Sequence, residues 1–396
     1  MANQTNRPSL TWAGKVVIAL FVAGCIAGAY WLAQRRHVLP AALNPGALIP
    51  GNTSQVTFGI AYGTEKQRWL EAAVQEFAST PEGRHIQVNL IPMGSLEGAH
   101  AALAGDQRIQ VWSPASAVYK DSFAEDWQAK YGANPILKDE PLVLTPMVFV
   151  MWDARYQAFK SHYGEVNFDT INQALHEAGG WQTIARQPDW GLFKFGHTNP
   201  EESNSGILTL VLAGHNFYKK TAALTVGEVT DPKFQAWLAQ LESASVSDSN
   251  STGNLMREMV LKGPSSFDAL LVYESVAIDY LKNAEGRWGP IHVIYPEYNI
   301  WNESPYYILN APWSSADQRK AAQTFLDFLL SERVQRESIA HGFRPADPNI
   351  PTRSPDAPWT RYQANGIKMD LNKICAAPRG EVVTNLLASW QRREAH

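Results

Sequence analysis

Hydrophobic and polar residues along this chain alternate in blocks that predict strands and helices in turn. Strands are predicted over Val56–Ile60, Ile86–Ile91 and Ile109–Ser113. Between them, apolar residues at helical spacing predict helices over Trp69–Phe77 and Leu96–Leu103. Because strand and helix follow each other at this spacing, βαβ units and a largely parallel sheet are expected, with ligands at the carboxyl ends of the strands.

A longer apolar run, Leu142–Met151, is interrupted by Pro146 and is interpreted as a strand that crosses between two lobes. A second α/β set follows it, with a strand predicted over Gly191–Phe195 and no element in the polar stretch Ser245–Asn254. Pro305–Leu309 is the candidate return crossing. The predicted divisions are residues 1–34 as a membrane anchor or lipoprotein signal, 35–54 as a linker, 55–145 with 306–345 as lobe 1, 146–305 as lobe 2, and 346–396 as a C-terminal tail that packs on the lobes.

The start of the chain carries an uncharged run, Val16–Ala33, that predicts a transmembrane helix. At about 1.5 Å per residue it spans about 27 Å, close to the apolar thickness of a bilayer. Lys15 precedes the run and Arg35-Arg36 follows it. Val22–Cys25 also resembles a lipobox, in which Cys25 would carry the lipid, but the residues after it stay apolar. Both interpretations tether the chain to a membrane and place the remainder outside the cytoplasm.

Composition excludes several classes of protein. The 396 residues are 45% hydrophobic and 18% charged with a net charge of −4, which argues against a disordered chain and against nucleic acid as a partner. Only 2 cysteines are present, so neither a disulfide scaffold nor a cysteine-built zinc site is expected. The 14 tryptophans are interpreted mainly as packing anchors, although they could also stack on a sugar.

Most sequence signatures of catalysis are absent. The chain has no G-x-S-x-G, P-loop, G-x-G-x-x-G after a strand, or H-E-x-x-H motif, and its 10 histidines show no i,i+4 pairing. No catalytic residue, metal ligand or cofactor is therefore predicted, and the chain is expected not to be an enzyme. A hydrolase whose triad is assembled from distant positions is the remaining enzyme hypothesis.

Small hydroxyl residues and glycines recur where a predicted strand gives way to a helix. Helix N termini present unpaired N–H donors, a hydroxyl adds another donor, and glycine lets a ligand approach the backbone. The same residue types are also the favoured helix caps, so each position has a purely structural interpretation as well. The predicted solute-binding residues are Tyr62, Thr64, Gly94, Ser95, Ser113, Ser116, Thr145, Asn204, Ser205, Gly206, Tyr273 and Glu274.

Three charged or titratable residues near these positions have two interpretations each. Glu274, directly after the predicted strand Ala269–Tyr273, either contacts a ligand or is a first-turn carboxylate favoured by the helix dipole. His197 either bonds a ligand oxygen or satisfies a loop carbonyl. Arg344 is either the partner of an anion or one half of an ion pair between a lobe and the tail.

A series of short motifs, in this order, resembles the type II periplasmic solute-binding proteins of the molybdate and sulfate group. These motifs are Met93–Ser95, Val111–Ser116, Gly196–Pro200, Ser203–Gly206, Ser251–Gly253, Val272–Glu274, Ile294–Pro296 and Gly342–Pro345. The resemblance extends from about Gln55 to Pro345. Within that group the chain is similar to the binding domain that often precedes a von Willebrand factor A module in bacterial envelope proteins. We expect no such module here, because only about fifty residues follow.

The resemblance implies an α/β fold of the two-lobed, type II periplasmic-binding-protein kind, with two crossing strands, that closes on a solute by hinge motion. It implies no particular solute. The first hypothesis is a membrane-tethered, extracytoplasmic protein that captures a small polar, anionic solute for a transporter or sensor, with a permease or another envelope protein as partner. The alternative is an envelope scaffold or stress-signalling protein that keeps the binding fold without transport.

Overall fold

The computed structural model of the chain describes residues 55–371 and 373–394, and most of its strands form two five-stranded mixed sheets. The strands of the first sheet are β1 (Val56–Gly63), β2 (Ile86–Met93), β3 (Val111–Ser113), β4 (Ile136–Pro141) and β12 (Pro305–Leu309). Their order is β2-β1-β3-β12-β4. β1 is parallel to β2 and β3, whereas β12 is antiparallel to β3 and β4.

The strands of the second sheet are β6 (Met147–Trp152), β7 (Phe195–Thr198), β8 (Val246–Ser249), β9 (Ala269–Tyr273) and β10 (Ile291–Ile294). Their order is β10-β6-β9-β7-β8. β6 is antiparallel to β9 and β10, and β7 is parallel to β8 and β9. Two short pairs complete the strands: β5 (Val143–Leu144) with β13 (Arg344–Pro345), and β11 (Tyr298–Asn299) with β14 (Lys373–Ile374).

The helices of the described residues cover both faces of the two sheets. They are α1 (Gln67–Phe77), α2 (Ser95–Ala104), α3 (Lys120–Tyr131), α4 (Asp153–Tyr163), α5 (Phe168–Leu175), α6 (Trp181–Ala185), α7 (Asn204–Tyr218), α8 (Val226–Val229), α9 (Pro232–Ser243), α10 (Thr252–Lys262), α11 (Glu274–Glu285), α12 (Ala316–Leu329), α13 (Glu332–Ser338), α14 (Pro358–Arg361) and α15 (Gly380–Glu394). We call the first sheet with its helices the first lobe, and the second sheet with its helices the second lobe.

Aromatic residues fill the core on each side of the first sheet. Phe58 and Phe77 pack against Phe325 of α12 on one side. On the other side, Trp112 contacts Phe123, with ring centroids 4.6 Å apart. Many tryptophans, including Trp112, are fully buried in these cores, as expected for packing anchors.

The apolar run from Leu142 breaks where the sequence predicts. β5 ends at Leu144, the chain turns at Thr145 and Pro146, and β6 then enters the second sheet. Pro305–Leu309 returns to the first sheet as β12, with the predicted bounds. The expectation of a largely parallel sheet was wrong, because these crossing strands enter each sheet antiparallel to their neighbours.

The strand assignments differ from the prediction at two places in the second lobe. The strand predicted over Gly191–Phe195 begins only at Phe195 and runs to Thr198, where its residues become buried. The polar stretch Ser245–Asn254 contains β8, which lies at the edge of its sheet and alternates between exposed and half-buried positions. An edge strand of this kind has no apolar pattern to reveal it.

Residues 346–394 form a C-terminal segment that runs along the second lobe and ends in α15. β14 pairs with β11, and α15 packs on α7, α8 and α9. The same helix also packs on α3 and on the turn Ala117–Tyr119 of the first lobe. Its apolar residues Val383 and Leu386 are fully buried, so α15 is a core element that contacts both lobes.

The predicted membrane anchor, residues 1–34, and the predicted linker, residues 35–54, lie outside the described residues. Within the part of the chain that the structure describes, no helix has both the length and the apolar character needed to cross a membrane.

Candidate functional site

The two lobes meet at a cleft where strands of both sheets end. A narrow cavity remains between them, too small to admit a water molecule. Among the predicted residues, Thr64, Gly94, Ser95 and Tyr273 line it. The other residues that line it are Gly63, Glu65, Met93, Ser203, Ser251 and Thr252. One wall of the cleft is therefore formed by β1, β2 and α2, and the other wall is formed by the N termini of α7, α10 and α11.

Several hydrogen bonds join the lobes directly across this cleft. The Leu96 N–H donates to the Glu202 carbonyl at 3.0 Å, and the Gly253 N–H donates to Thr64 Oγ1 at 3.2 Å. Asn204 Nδ2 donates to Ser116 Oγ at 2.5 Å. The predicted residues Thr64, Ser116 and Asn204 thus lie at the contact between the lobes.

Gly94 is a glycine because the second lobe comes too close for a side chain. A Cβ at this position would lie 2.7 Å from the carbonyl oxygen of Asn250 and closer still to that of Glu202. Real Cβ atoms do not approach other atoms at such distances, so a substitution would push the lobes apart.

Ser205 is the centre of a buried cluster of hydroxyl groups in the second lobe. Its Oγ lies 2.6 Å from both Thr198 Oγ1 and Thr252 Oγ1, and 3.2 Å from Ser203 Oγ. The cluster ties the end of β7 to the N termini of α7 and α10. Gly206 lets this loop fold tightly, since a Cβ there would lie 2.6 Å from the Pro200 nitrogen.

Three other predicted hydroxyls are already bonded to backbone groups of the protein. Ser95 Oγ accepts from the Ala115 N–H at 3.1 Å, and Ser113 Oγ donates to the Pro305 carbonyl at 2.8 Å. Thr145 Oγ1 accepts from the Ser275 N–H at 3.1 Å. These contacts are those of the structural interpretation, in which the hydroxyls fix loops and helix ends.

The two predicted tyrosines lie in different surroundings. Tyr62 is buried in the core of the first lobe, and burial raises the pKa of its phenol. Tyr273 lies at the end of β9 and lines the cleft cavity. Burial first, and the negative charge of Glu65 second, raise the pKa of Tyr273 well above its ordinary value. Both phenols are therefore neutral donors at physiological pH.

Glu274 lies in a buried network that does not include the residues lining the cleft cavity. Its carboxylate is paired with Arg344, accepts from the Tyr295 hydroxyl, and accepts from Trp359 Nε1 at 3.2 Å. Arg344 also donates to the Met369 carbonyl at 3.0 Å. The ion pair therefore joins the helix α11 to β13, and the C-terminal segment contributes only hydrogen-bond partners, Trp359 and Met369, rather than a charge.

His197 is held entirely by protein groups. Its Nδ1 lies 2.9 Å from the Thr198 carbonyl, and its Nε2 lies 3.0 Å from a carboxylate oxygen of Glu242. Trp390 of α15 donates to the same carboxylate at 2.9 Å. His197 is fully buried, so it links β7, α9 and α15 and bonds a loop carbonyl, as one of its two interpretations expects.

The sequence analysis missed two charged residues at the edge of the cleft: Glu65, which lines its cavity, and the fully buried Lys66 next to it. They form a buried ion pair, and Lys66 Nζ also donates to the Pro114 carbonyl at 3.1 Å. Burial lowers the pKa of Lys66, and the adjacent Glu65 opposes that shift. Both residues follow the strand end Tyr62-Gly63-Thr64, but Glu and Lys at the start of a helix are normally solvated, and the pattern gave no reason to single them out.

These features can be compared with known proteins. A sequence profile described as "Bacterial extracellular solute-binding protein" matches residues 58–344. The chain belongs to this family. No curated protein sequence matches the chain. The family's proteins bind small-molecule solutes and typically act with transporters, so the matched region is an extracytoplasmic domain.

Solved structures share the fold of this solute-binding protein. The sulfate-binding protein SubI from Mycobacterium tuberculosis H37Rv has a TM-score of 0.54 and 16% identity, over 83% of this chain and 96% of that one. AfuA from Actinobacillus pleuropneumoniae has a TM-score of 0.57 and 12% identity, over 86% and 99%. Iron-bound HitA from Pseudomonas aeruginosa has a TM-score of 0.52 and 15% identity, over 85% and 99%.

The chain therefore has the mixed α/β, two-lobed fold of periplasmic binding proteins. Its family and the proteins of similar structure are binding proteins and not enzymes. Within residues 55–371 and 373–394, no group of three or more His, Cys, Asp or Glu side chains is arranged to hold a metal ion.

Proposed function

We propose that this solute-binding protein is tethered to the membrane, captures a small anionic solute in the cleft between its lobes, and presents it to a transporter or sensor. The observation that carries the proposal is the cleft, which Ser95, Ser251 and Tyr273 line and beside which the ion pair of Glu65 and Lys66 is buried. Hydrogen-bond donors next to a buried cation favour a negative ligand.

Hinge motion between the lobes admits the solute in this proposal. The cleft is closed in the structure, and a small number of hydrogen bonds between the lobes would have to break for it to open. The chain crosses between the sheets at β5–β6 and again before β12, and such short connections act as hinges in two-lobed binding proteins.

Binding is tested by thermal unfolding of the full chain, purified in detergent, against sulfate, phosphate, molybdate, sugars and amino acids. A solute present at a hundredfold excess over its Kd stabilises the native state by about 2.7 kcal/mol. We expect such a shift with one or more anions. A flat response to every solute on the panel would contradict the proposal.

The membrane tether rests on the uncharged run Val16–Ala33. We expect the full chain to fractionate with membranes, to resist extraction by high salt and to be released by detergent. The variant Cys25→Ser keeps this behaviour if the run is an uncleaved helix, whereas a lipid anchor would be lost. Recovery of the wild-type chain in the salt wash would argue against both anchors.

A second candidate function is an envelope scaffold that keeps the binding fold without transport. The observation that favours it is the closed cleft, which has no room for a water molecule and is held by an α15 that contacts both lobes. Affinity purification from the native membrane separates the two functions. Recovery of permease subunits supports transport, whereas recovery of other envelope proteins alone supports the scaffold.

A further inference from the structure

Glu65, the anion of the buried pair with Lys66, borders two spaces of different character. One is the narrow cleft cavity described above. The other is an open pocket of about 260 Å³ between α1 and helices of the second lobe, which Arg68, Arg257, Glu71 and Asp279 also line. Glu65 and its neighbour Thr64 therefore lie between the cleft interior and a pocket open to solvent, while Lys66 is covered by Glu65.

Lys66 is a buried cation whose anion is supplied by the chain itself. Its side chain is fully buried, and its polar contacts are the Glu65 carboxylate and the Pro114 carbonyl. A buried ammonium without an anion costs several kcal/mol. Gly63 makes room for this arrangement, since a Cβ there would press against the folded-back Glu65 carboxylate.

A second observation points to a ligand in the same space. Ser251 Oγ lines the cleft cavity, its residue is 3% exposed, and it has no hydrogen-bond partner among the described residues. Buried hydroxyls in folded proteins are nearly always bonded, so an unsatisfied one facing a cavity indicates a group that is yet to bind. The neutral Tyr273 phenol faces the same cavity.

We propose that Glu65 is a built-in competitor of the solute, and that the anionic group of the solute replaces its carboxylate on Lys66. The displaced Glu65 side chain turns into the solvent-open pocket beside the exposed Arg257. Arg68 also lines this pocket but is paired with Asp279, and Glu71 lines it as well. This inference rests on the proposed function and specifies its chemistry. The solute carries a small, delocalised negative charge, either a carboxylate or an inorganic oxyanion.

The exchange keeps the charge of the cleft constant. Before binding, Lys66 is paired with Glu65, and after binding it is paired with the solute, so the ammonium is never left buried alone. A neutral solute gains nothing from Lys66, because the ion pair stays intact. Affinity for anions is therefore reduced by the cost of removing Glu65, and affinity for neutral solutes is not.

The test compares Glu65→Gln with wild type by isothermal titration with sulfate, phosphate, acetate and glucose. The variant keeps the side-chain shape but removes the competing charge, so we expect anion affinity to rise at least tenfold, with no gain for glucose. The control is Glu82→Gln, which removes the same charge from an exposed position that lines neither the cleft cavity nor the open pocket. We expect the control to stay within threefold of wild type. Comparing the affinities for sulfate and for acetate shows whether the site prefers an inorganic oxyanion or a carboxylate.

Two further variants test whether Lys66 and Glu65 act in this way. Lys66→Met should abolish the anion response, and Glu65→Asp should give an intermediate gain if Glu65→Gln does not fold. If wild type binds an anion and both Glu65 variants bind it with unchanged affinity, the competitor is disproved while the proposed function stands. If neither wild type nor Glu65→Gln binds any solute, the proposed function itself fails. Anion binding seen only in Glu65→Gln supports the competitor.

Discussion

At the scale of single residues, three buried ion pairs differ in what surrounds them. Glu274 and Arg344 are enclosed by aromatic rings and backbone carbonyls. Arg155 Nε lies 3.0 Å from Asp268 Oδ1, and the Arg155 guanidinium lies over the rings of Trp181 and Trp190. The pair of Glu65 and Lys66 instead borders a cavity. The first two pairs are therefore part of the packed structure, whereas the third can exchange its partner.

Removing the cation of a packed pair should be costly. We expect Arg344→Met to lower the free energy of unfolding by about 3–5 kcal/mol, because Glu274 is left buried without its charge partner. The matched control is Arg353→Met, whose pair with Asp370 is exposed and is worth about 1 kcal/mol at most. Chemical denaturation measures both. Equal losses for the two variants would contradict this account of Glu274.

Acid stability should depend on His215. This residue is fully buried on α7, and burial lowers its pKa below the ordinary value of 6.5. The unfolded chain therefore binds the proton at a higher pH than the folded chain, and stability falls as pH drops below about 6.5. We expect His215→Asn to flatten this slope in denaturation curves taken between pH 7.5 and 5. An unchanged slope in His215→Asn would contradict this role of His215.

At the scale of secondary-structure elements, the strand-to-helix junctions show how far sequence reasoning reaches. The residue types at these junctions predict helix caps and ligand donors equally well. Which of the two a hydroxyl becomes depends on groups far away in the chain, as for Ser113, which bonds the carbonyl of Pro305. Local sequence therefore identifies the junctions, while tertiary contacts assign their roles.

The same distinction explains which elements the sequence predicted. β9 and β12 have the predicted bounds because their apolar residues are continuous and every position is buried. β8 was missed because an edge strand of polar residues carries no such pattern. Glu65 and Lys66 were missed because their burial depends on tertiary packing, including that of α10 and α11 of the second lobe on the turn after β1.

Gly94 allows a prediction about the contact between elements of the two lobes. Gly94→Ala places a Cβ against the carbonyls of Glu202 and Asn250, so we expect the closed arrangement to lose population and the radius of gyration in solution scattering to increase. Gly227→Ala is the control, since a Cβ there meets nothing within 4 Å. An unchanged radius of gyration for Gly94→Ala would show that the lobes tolerate the added atom without separating.

At the scale of the whole molecule, the C-terminal segment ties the two lobes into one structure. α15 packs on helices of the second lobe and on α3 of the first. Trp390 and His197 share the buried carboxylate of Glu242, so the end of the chain reaches the second sheet. The sequence predicted a C-terminal tail over residues 346–396, but the path of the chain between residue 346 and α15 depends on contacts that no local pattern encodes.

Loosening α15 should weaken the entire fold. We expect Leu386→Ala to lower the free energy of unfolding by about 2–5 kcal/mol, because a fully buried side chain is truncated. Limited proteolysis should then cut within residues 380–394 sooner than in wild type. Thr384→Ala, at an exposed position on the same helix, is the control. Cleavage at the same rate in Leu386→Ala and wild type would show that α15 stays docked without this contact.

The position of α15 has a kinetic consequence. Widening the cleft would break the contacts of this helix with one lobe, so these contacts favour the closed form and lower the apparent affinity for a solute that enters through the open form. Suppose that a partner protein binds α15 only when the cleft is closed, or only when it is open. Linkage then requires that the partner changes the affinity for the solute by the same factor by which the solute changes the affinity for the partner. Through this helix, the residence time of the solute is coupled to events on the outer surface of the molecule.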